Sequence, residues 1–125
     1  MSGHSVVMDG DPEVGGDDTA PRPTELVLMG LGGCTGMDVI SILRKKRQKV
    51  TDFEILVQAT RADQHPKKFT DIHIEYVVKG LDISEEAVKR SVELSMQKYC
   101  SVKATLEGVA KITYSYRIIN EGQTE

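Results

Sequence analysis

Residues 26–43 (LVLMGLGGCTGMDVISIL) run for 18 positions with a single charge, Asp38, and this segment constrains the chain more than any other. A stretch so apolar has to be buried. It just reaches the length that crosses a bilayer. Four glycines in its middle and an Asp38 that lipid would have to accommodate argue against a span, so no membrane partner is expected. A helix apolar on nearly all sides is otherwise a core helix or one buried between subunits. Thr24 can cap it, and Glu25 falls in its first turn, where a negative charge suits the helix dipole. The pattern extends to about Arg47, with Gly30, Gly32, Gly33 and Gly36 expected to break or kink it. Arg44, Lys45, Lys46, Arg47 and Lys49 crowd its C-terminal end, where positive charge complements the dipole. The whole chain carries 16 basic and 19 acidic residues, a balance that excludes a protein built around nucleic acid.

The other segments are shorter and more polar. With 125 residues, one domain over 1–125 is expected. Residues 5–8 (Ser5-Val6-Val7-Met8) form a short β-like run, and residues 9–23, rich in Gly, Asp and Pro, read as a loop. Phe53, Ile55, Val57 and Ala59 alternate with polar neighbours across residues 52–62, as do Ile72, Ile74, Tyr76 and Val78 across 69–79. The tight polar connection between them makes an antiparallel hairpin. Ser84 can cap a second helix with Glu85 and Glu86 in its first turn, Val88, Val92 and Tyr99 along one stripe, and Cys100 at its end. Residues 109–119 alternate again and close the order strand, helix, hairpin, helix, strand. This predicts an α+β fold, an antiparallel sheet packed on a long helix. One short domain would leave much of that helix uncovered, so dimerisation is expected to cover it.

Chemistry concentrates at Leu31-Gly32-Gly33-Cys34-Thr35-Gly36. Glycines beside Cys34 leave space over the sulfur, and a helix restarting near Gly33 would aim free N–H groups at it and favour thiolate. The same residues also suit a small apolar side chain packed where helices cross. Cys100, 66 positions later, is by itself more typical of a structural thiol. As a pair, one thiolate could reduce a peroxide to leave a sulfenic acid, and the other thiol could close a disulfide. The glycine run imitates a dinucleotide turn poorly: its third glycine comes one position late, and no repeated βα units follow. His4, His65 and His73 are scattered, so neither a metal site nor a cofactor is expected. Two cysteines are too few for a stapled secreted domain, and residues 1–16 lack the basic and apolar parts of a signal peptide. The expected compartment is the cytoplasm.

Residues 23–39 (PTELVLMGLGGCTGMDV) with Ser41-Ile42-Leu43, His65-Pro66 with Phe69-Thr70, and Lys98-Tyr99-Cys100-Ser101-Val102 together resemble the OsmC/Ohr family of thiol-dependent hydroperoxide reductases. They are most similar to its YhfA-like subgroup. The resemblance implies an intertwined homodimer with a long central helix and two sites at the subunit interface. It implies that Cys34 is the peroxidatic cysteine, Cys100 the resolving one, and Glu25 an acid that holds the site. It further implies organic hydroperoxides as substrates and a dithiol, such as a lipoylated protein, as reductant. Family members pair an N-terminal Arg with the thiolate; Arg22 is the only Arg before Cys34 in this chain. They also begin with a strand upstream of residues 5–8. A binding or sensing protein that uses the same cysteine pocket without turnover is the alternative.

Overall fold

Pro23 opens helix α1 (Pro23–Lys45), because a proline at the first helical position needs no N–H partner and has its φ pre-set. The computed structural model describes residues 1–122. With Pro23 at the first position, the cap falls on Arg22, in extended conformation, rather than on Thr24. Glu25 supplies the reciprocal bond, its Oε1 accepting from the Arg22 N–H at 2.8 Å. The loop before the helix braces itself. Asp9 accepts from the Thr19 hydroxyl and from the N–H groups of Gly10, Thr19 and Asp17, which hold its carboxyl down at about 2. The Arg22 guanidinium clamps Asp18 at 2.8 Å and Asp11 at 3.2 Å. Residues 5–8 form no strand. A β-like composition makes a strand only where a neighbouring edge accepts it, and these residues have none.

The glycines of α1 neither break nor kink it into two helices. Gly32 and Gly36 lie one turn apart on the face against strand β1 (Lys49–Arg61). A Cβ on Gly36 would fall 2.6 Å from Ile55 Cδ1, and one on Gly32 would fall 3.2 Å from Val57 Cγ2. Close packing of helix on sheet therefore offsets the roughly 1 kcal/mol of helix propensity each glycine forfeits. Leu31, Thr35, Val39 and Leu43, four residues apart, form the neighbouring fully buried stripe. Arg47, in the left-handed region at φ 58°, ends the run.

Strand β1 pairs antiparallel with β2 (Phe69–Leu81) from Lys49↔Leu81 to Arg61↔Phe69, the hairpin expected from the alternation. Ile72, Ile74, Tyr76 and Val78 of β2 point into the core. Ser84 caps α2 (Glu85–Leu94), its Oγ accepting from the Ala87 N–H. Helix α2 gives way to a single π-helical turn (Ser95–Tyr99), and Cys100 then caps the short α3 (Ser101–Leu106). The second helix thus does not run unbroken to Cys100. Tyr99, expected on its apolar stripe, turns outward and is half exposed. Strand β3 (Lys111–Asn120) pairs with β2 in parallel register, Asp71↔Lys111 to Gly80↔Asn120. The sheet, in order β1-β2-β3, is therefore mixed and not antiparallel. The reason is the connection: the chain crosses over through α2 and α3 before β3, and such a crossover returns it in the direction of β2.

Helix α1 is long and apolar enough to cross a membrane by length and composition, with a mean hydropathy of 1.8 over its most apolar window. It packs on β1, α2, the π turn and α3. Val27, Met29 and Met37 of this helix remain exposed, Met37 to 73%.

Candidate active site

The fold brings the two cysteines together. Cys34 sits mid-helix in α1, half-buried, and Cys100 lies at the junction of the π turn and α3 with only 4% of its surface exposed. Both are free thiols, and Cys34 lies near enough to Cys100 to shift its ionisation. Burial pushes the Cys100 thiol up to about 11; the Lys103 N–H on its sulfur opposes this, and the neighbouring Cys34 adds to it. Cys100 is therefore held as the neutral thiol, and Cys34 is the more accessible of the two.

The helix end expected to activate Cys34 is elsewhere. Since α1 runs unbroken through Gly33, the backbone N–H groups around Cys34 are spent on the preceding turn, and the free ones lie at Thr24 and Glu25, Pro23 having none and the Leu26 N–H donating to the Arg22 carbonyl at 3.1 Å. Glu25 and Arg22 lie at that end too. Glu25 precedes Cys34 by nine residues, about 13 Å along a helix axis, and Arg22 is occupied by Asp11 and Asp18. Within the chain neither side chain is brought to the thiol pair.

Beneath the pair lies a set of polar side chains that the sequence did not single out as a site. Tyr76 Oη and Thr35 Oγ1 are 2.7 Å apart, Thr35 Oγ1 and Ser95 Oγ 2.7 Å, and Ser95 Oγ donates to Asp38 Oδ2 at 2.9 Å. Tyr76, Thr35 and Ser95 are fully buried and Asp38 is half-buried. The direction follows from counting protons. Ser95 gives its one proton to Asp38, so Thr35 must donate to Ser95, and Tyr76 to Thr35. Burial raises the Tyr76 phenol to about 12, against the bond to Thr35, so it keeps the proton it donates. Asp38, the single charge of the apolar segment, ends this chain. It also lines a cleft of about 560 Å³ with Met37, Ser41, Ile42, Lys45, Leu94 and Tyr99. The available signal was a serine, Ser95, at a position of the second helix that packs inward.

His73 takes no part in the site. On the other face of β2 its ring nitrogens bond to the hydroxyls of Thr113 at 2.8 Å and Ser115 at 2.9 Å.

A family model described as OsmC-like protein matches residues 15–115, which include both cysteines and every strand-to-helix junction between them. The chain belongs to the OsmC-like family. It is 45% identical over 118 residues to the protein YhfA of Escherichia coli K12, a match covering 94% of this chain and 85% of that relative. Among solved structures it is similar to a hypothetical protein of Aquifex aeolicus, with 38% identity, a TM-score of 0.72, and coverage of 81% of this chain and 77% of that one. It is also similar to the organic hydroperoxide resistance protein OhrB of Bacillus subtilis, with a TM-score of 0.60 and coverage of 90% and 80%; at 19% identity that likeness is one of fold.

The environments of the two thiols differ enough to be told apart chemically. Iodoacetamide at pH 7–8 is expected to label Cys34 at least about tenfold faster than Cys100, because only thiolate reacts and Cys100 is both enclosed and raised. Peptide mass spectrometry over a time course reads this ratio. Equal labelling would contradict the buried, protonated Cys100. The sign for stability follows from the same shift. Keeping Cys100 neutral favours the fold below the free-thiol value of 9.0, and that contribution is lost as pH rises towards 11.

Proposed function

We propose that this OsmC-like protein is a thiol-dependent reductase of organic hydroperoxides. The observation that supports this reading is the pairing of two thiols 66 residues apart in sequence, the accessible Cys34 beside the enclosed, protonated Cys100. The Cys34 thiolate attacks the outer peroxide oxygen; an S–O bond forms, the O–O bond breaks, and the alkoxide leaves and is protonated to the alcohol. Sulfur is oxidised by two electrons to the sulfenic acid. Cys100 then attacks that sulfur. The S–S bond forms, the S–O bond breaks, and hydroxide departs with the Cys100 proton as water. A dithiol, in the family manner a lipoylated protein, reduces the disulfide and is itself oxidised. A reducing cytoplasm suits two thiols that must return to the free state.

A homodimer belongs to this proposal. Val27, Met29 and Met37 of α1 are exposed apolar side chains that a second protomer packed around this helix would cover. Because Glu25 is too far along its own helix to touch Cys34, a direct role for Glu25 or Arg22 at the thiol has to come from the second protomer's α1. Cumene hydroperoxide with dihydrolipoamide tests the reading. Continuous consumption of peroxide, with many equivalents reduced per protein, is the expected result. A single equivalent consumed and a disulfide that the dithiol does not reopen would favour the sensing alternative.

A further inference from the structure

We propose that Ser95, oriented by Asp38, is the positioning residue that keeps Cys34 and Cys100 in bonding range for disulfide closure; the inference rests on the thiol-pair reading above. Ser95 holds both cysteine-bearing segments at once. Its side chain bonds at 2.7 Å to Thr35, the residue after Cys34, and its carbonyl oxygen accepts the N–H of Cys100 at 2.8 Å. The second bond spans five residues and closes the π turn, an interruption of helical geometry that recurs at functional sites. No other residue described here bonds to the neighbour of one cysteine and to the backbone of the other.

The chain of hydroxyls is a poor way to stabilise a core. Apolar side chains of the same shape would hold α1 on the π turn as well or better, since buried polar pairs roughly break even against them. What the hydroxyls add is a fixed direction and a fixed register. A serine hydroxyl left to itself has three staggered positions and could donate to Thr35 or to backbone. Asp38 removes that freedom, because its carboxylate oxygen accepts the Ser95 proton at 2.9 Å and leaves Ser95 with only lone pairs for Thr35. Asp38 sits one turn after Cys34 on the same helix, so the carboxylate, Thr35 and the nucleophile move as one rigid body against Ser95. Closing the disulfide requires the two Cβ atoms at about 4 Å, a tolerance that a loose junction between α1 and the π turn would miss.

The test compares wild type with Ser95→Ala, Asp38→Ala and Asp38→Asn, each fully reduced. Two oxidants are used: one equivalent of cumene hydroperoxide, and diamide, an azo compound that takes two electrons and two protons from a thiol pair and becomes the hydrazine. Disulfide closure, Cys34 sulfenic acid trapped by dimedone, and Cys34 alkylation rate are read by mass spectrometry. Ser95→Ala and Asp38→Ala are expected to slow closure about tenfold with either oxidant. They should accumulate the sulfenic acid after peroxide while Cys34 alkylation stays within about twofold of wild type. Asp38→Asn, whose carboxamide oxygen still accepts from Ser95, should close within about twofold of wild type. Because Asp38 is only half-buried, its variants keep the test sound should Ser95→Ala fail to fold. Closure at the wild-type rate in Asp38→Ala overturns the proposal. So does a defect as large in Asp38→Asn as in Asp38→Ala, or equal slowing of alkylation and closure, which would mean general loosening. If the wild type closes with diamide but not with peroxide, the peroxidase reading falls while the positioning role is still measured through diamide. Closure with neither oxidant overturns both.

Discussion

Replacing Cys34 with serine is expected to lower hydroperoxide consumption by about a thousandfold or more while leaving the fold in place. A serine hydroxyl is essentially un-ionised at neutral pH and far less nucleophilic than a thiolate, so the O–O bond meets no competent attacker. The fold should tolerate the change because Cys34 is half-buried at the edge of the core and serine is nearly its size; a cost of about 1 kcal/mol is the usual range. Cys100→Ser separates the steps. It should permit one fast turnover and then stop, with the Cys34 sulfenic acid persisting because no neighbouring thiol removes it. Peroxide assays with thermal melts on both variants give the comparison. Undiminished consumption by Cys34→Ser would mean that another group does the chemistry.

The largest loss of stability is expected at Gly80. A Cβ there would stand 2.2 Å from the Lys49 carbonyl oxygen and 2.6 Å from Ile83 Cδ1. The first is backbone of the paired strand and cannot swing aside. The Gly80 carbonyl also accepts from the Glu121 N–H at 2.7 Å, and Asn120 Oδ1 holds the Ile83 N–H at 2.8 Å, so this glycine joins all three strands to the entry of α2. Gly80→Ala is expected to cost about 3 kcal/mol or more, a fall of roughly 10 °C in Tm for a chain this size. The disturbance should reach the thiols, since α2 leads into the π turn that carries Cys100. Gly108→Ala is the control: nothing lies within 4 Å of its Cβ position, and Tm should move by no more than about 2 °C. Similar melting of the two variants would contradict the tight corner.

The local parts of this fold were open to reading because their causes are local. Ser84 followed by two glutamates announces a helix start, and the alternation around Ile72–Val78 announces a strand whatever surrounds it. The failures have distant causes. Gly32 and Gly36 argue against a continuous helix by propensity, and only the approach of Ile55 and Val57 makes them its packing surface. The run at residues 5–8 has the β-branched, apolar composition of a strand but meets no edge. The direction of β3 depends on how α2, the π turn and α3 cross the sheet, which alternation within β3 does not encode. At the site, spacing alone left each cysteine open between chemistry and packing. The pairing came from family resemblance, and in the fold Cys34 lies near enough to Cys100 to perturb it. The link between Asp38 and Ser95 escaped notice because they come together across 57 residues, with no periodicity to join them.

The pairing of the thiols can be asked of the protein directly. Reduced protein treated with one equivalent of hydroperoxide, trapped with N-ethylmaleimide and digested without reductant should yield one cross-linked species, the Cys34 peptide joined to the Cys100 peptide, at close to one per chain. Recovery of both cysteines as their maleimide adducts, or of disulfides joining unlike chains at random, would contradict a built thiol pair.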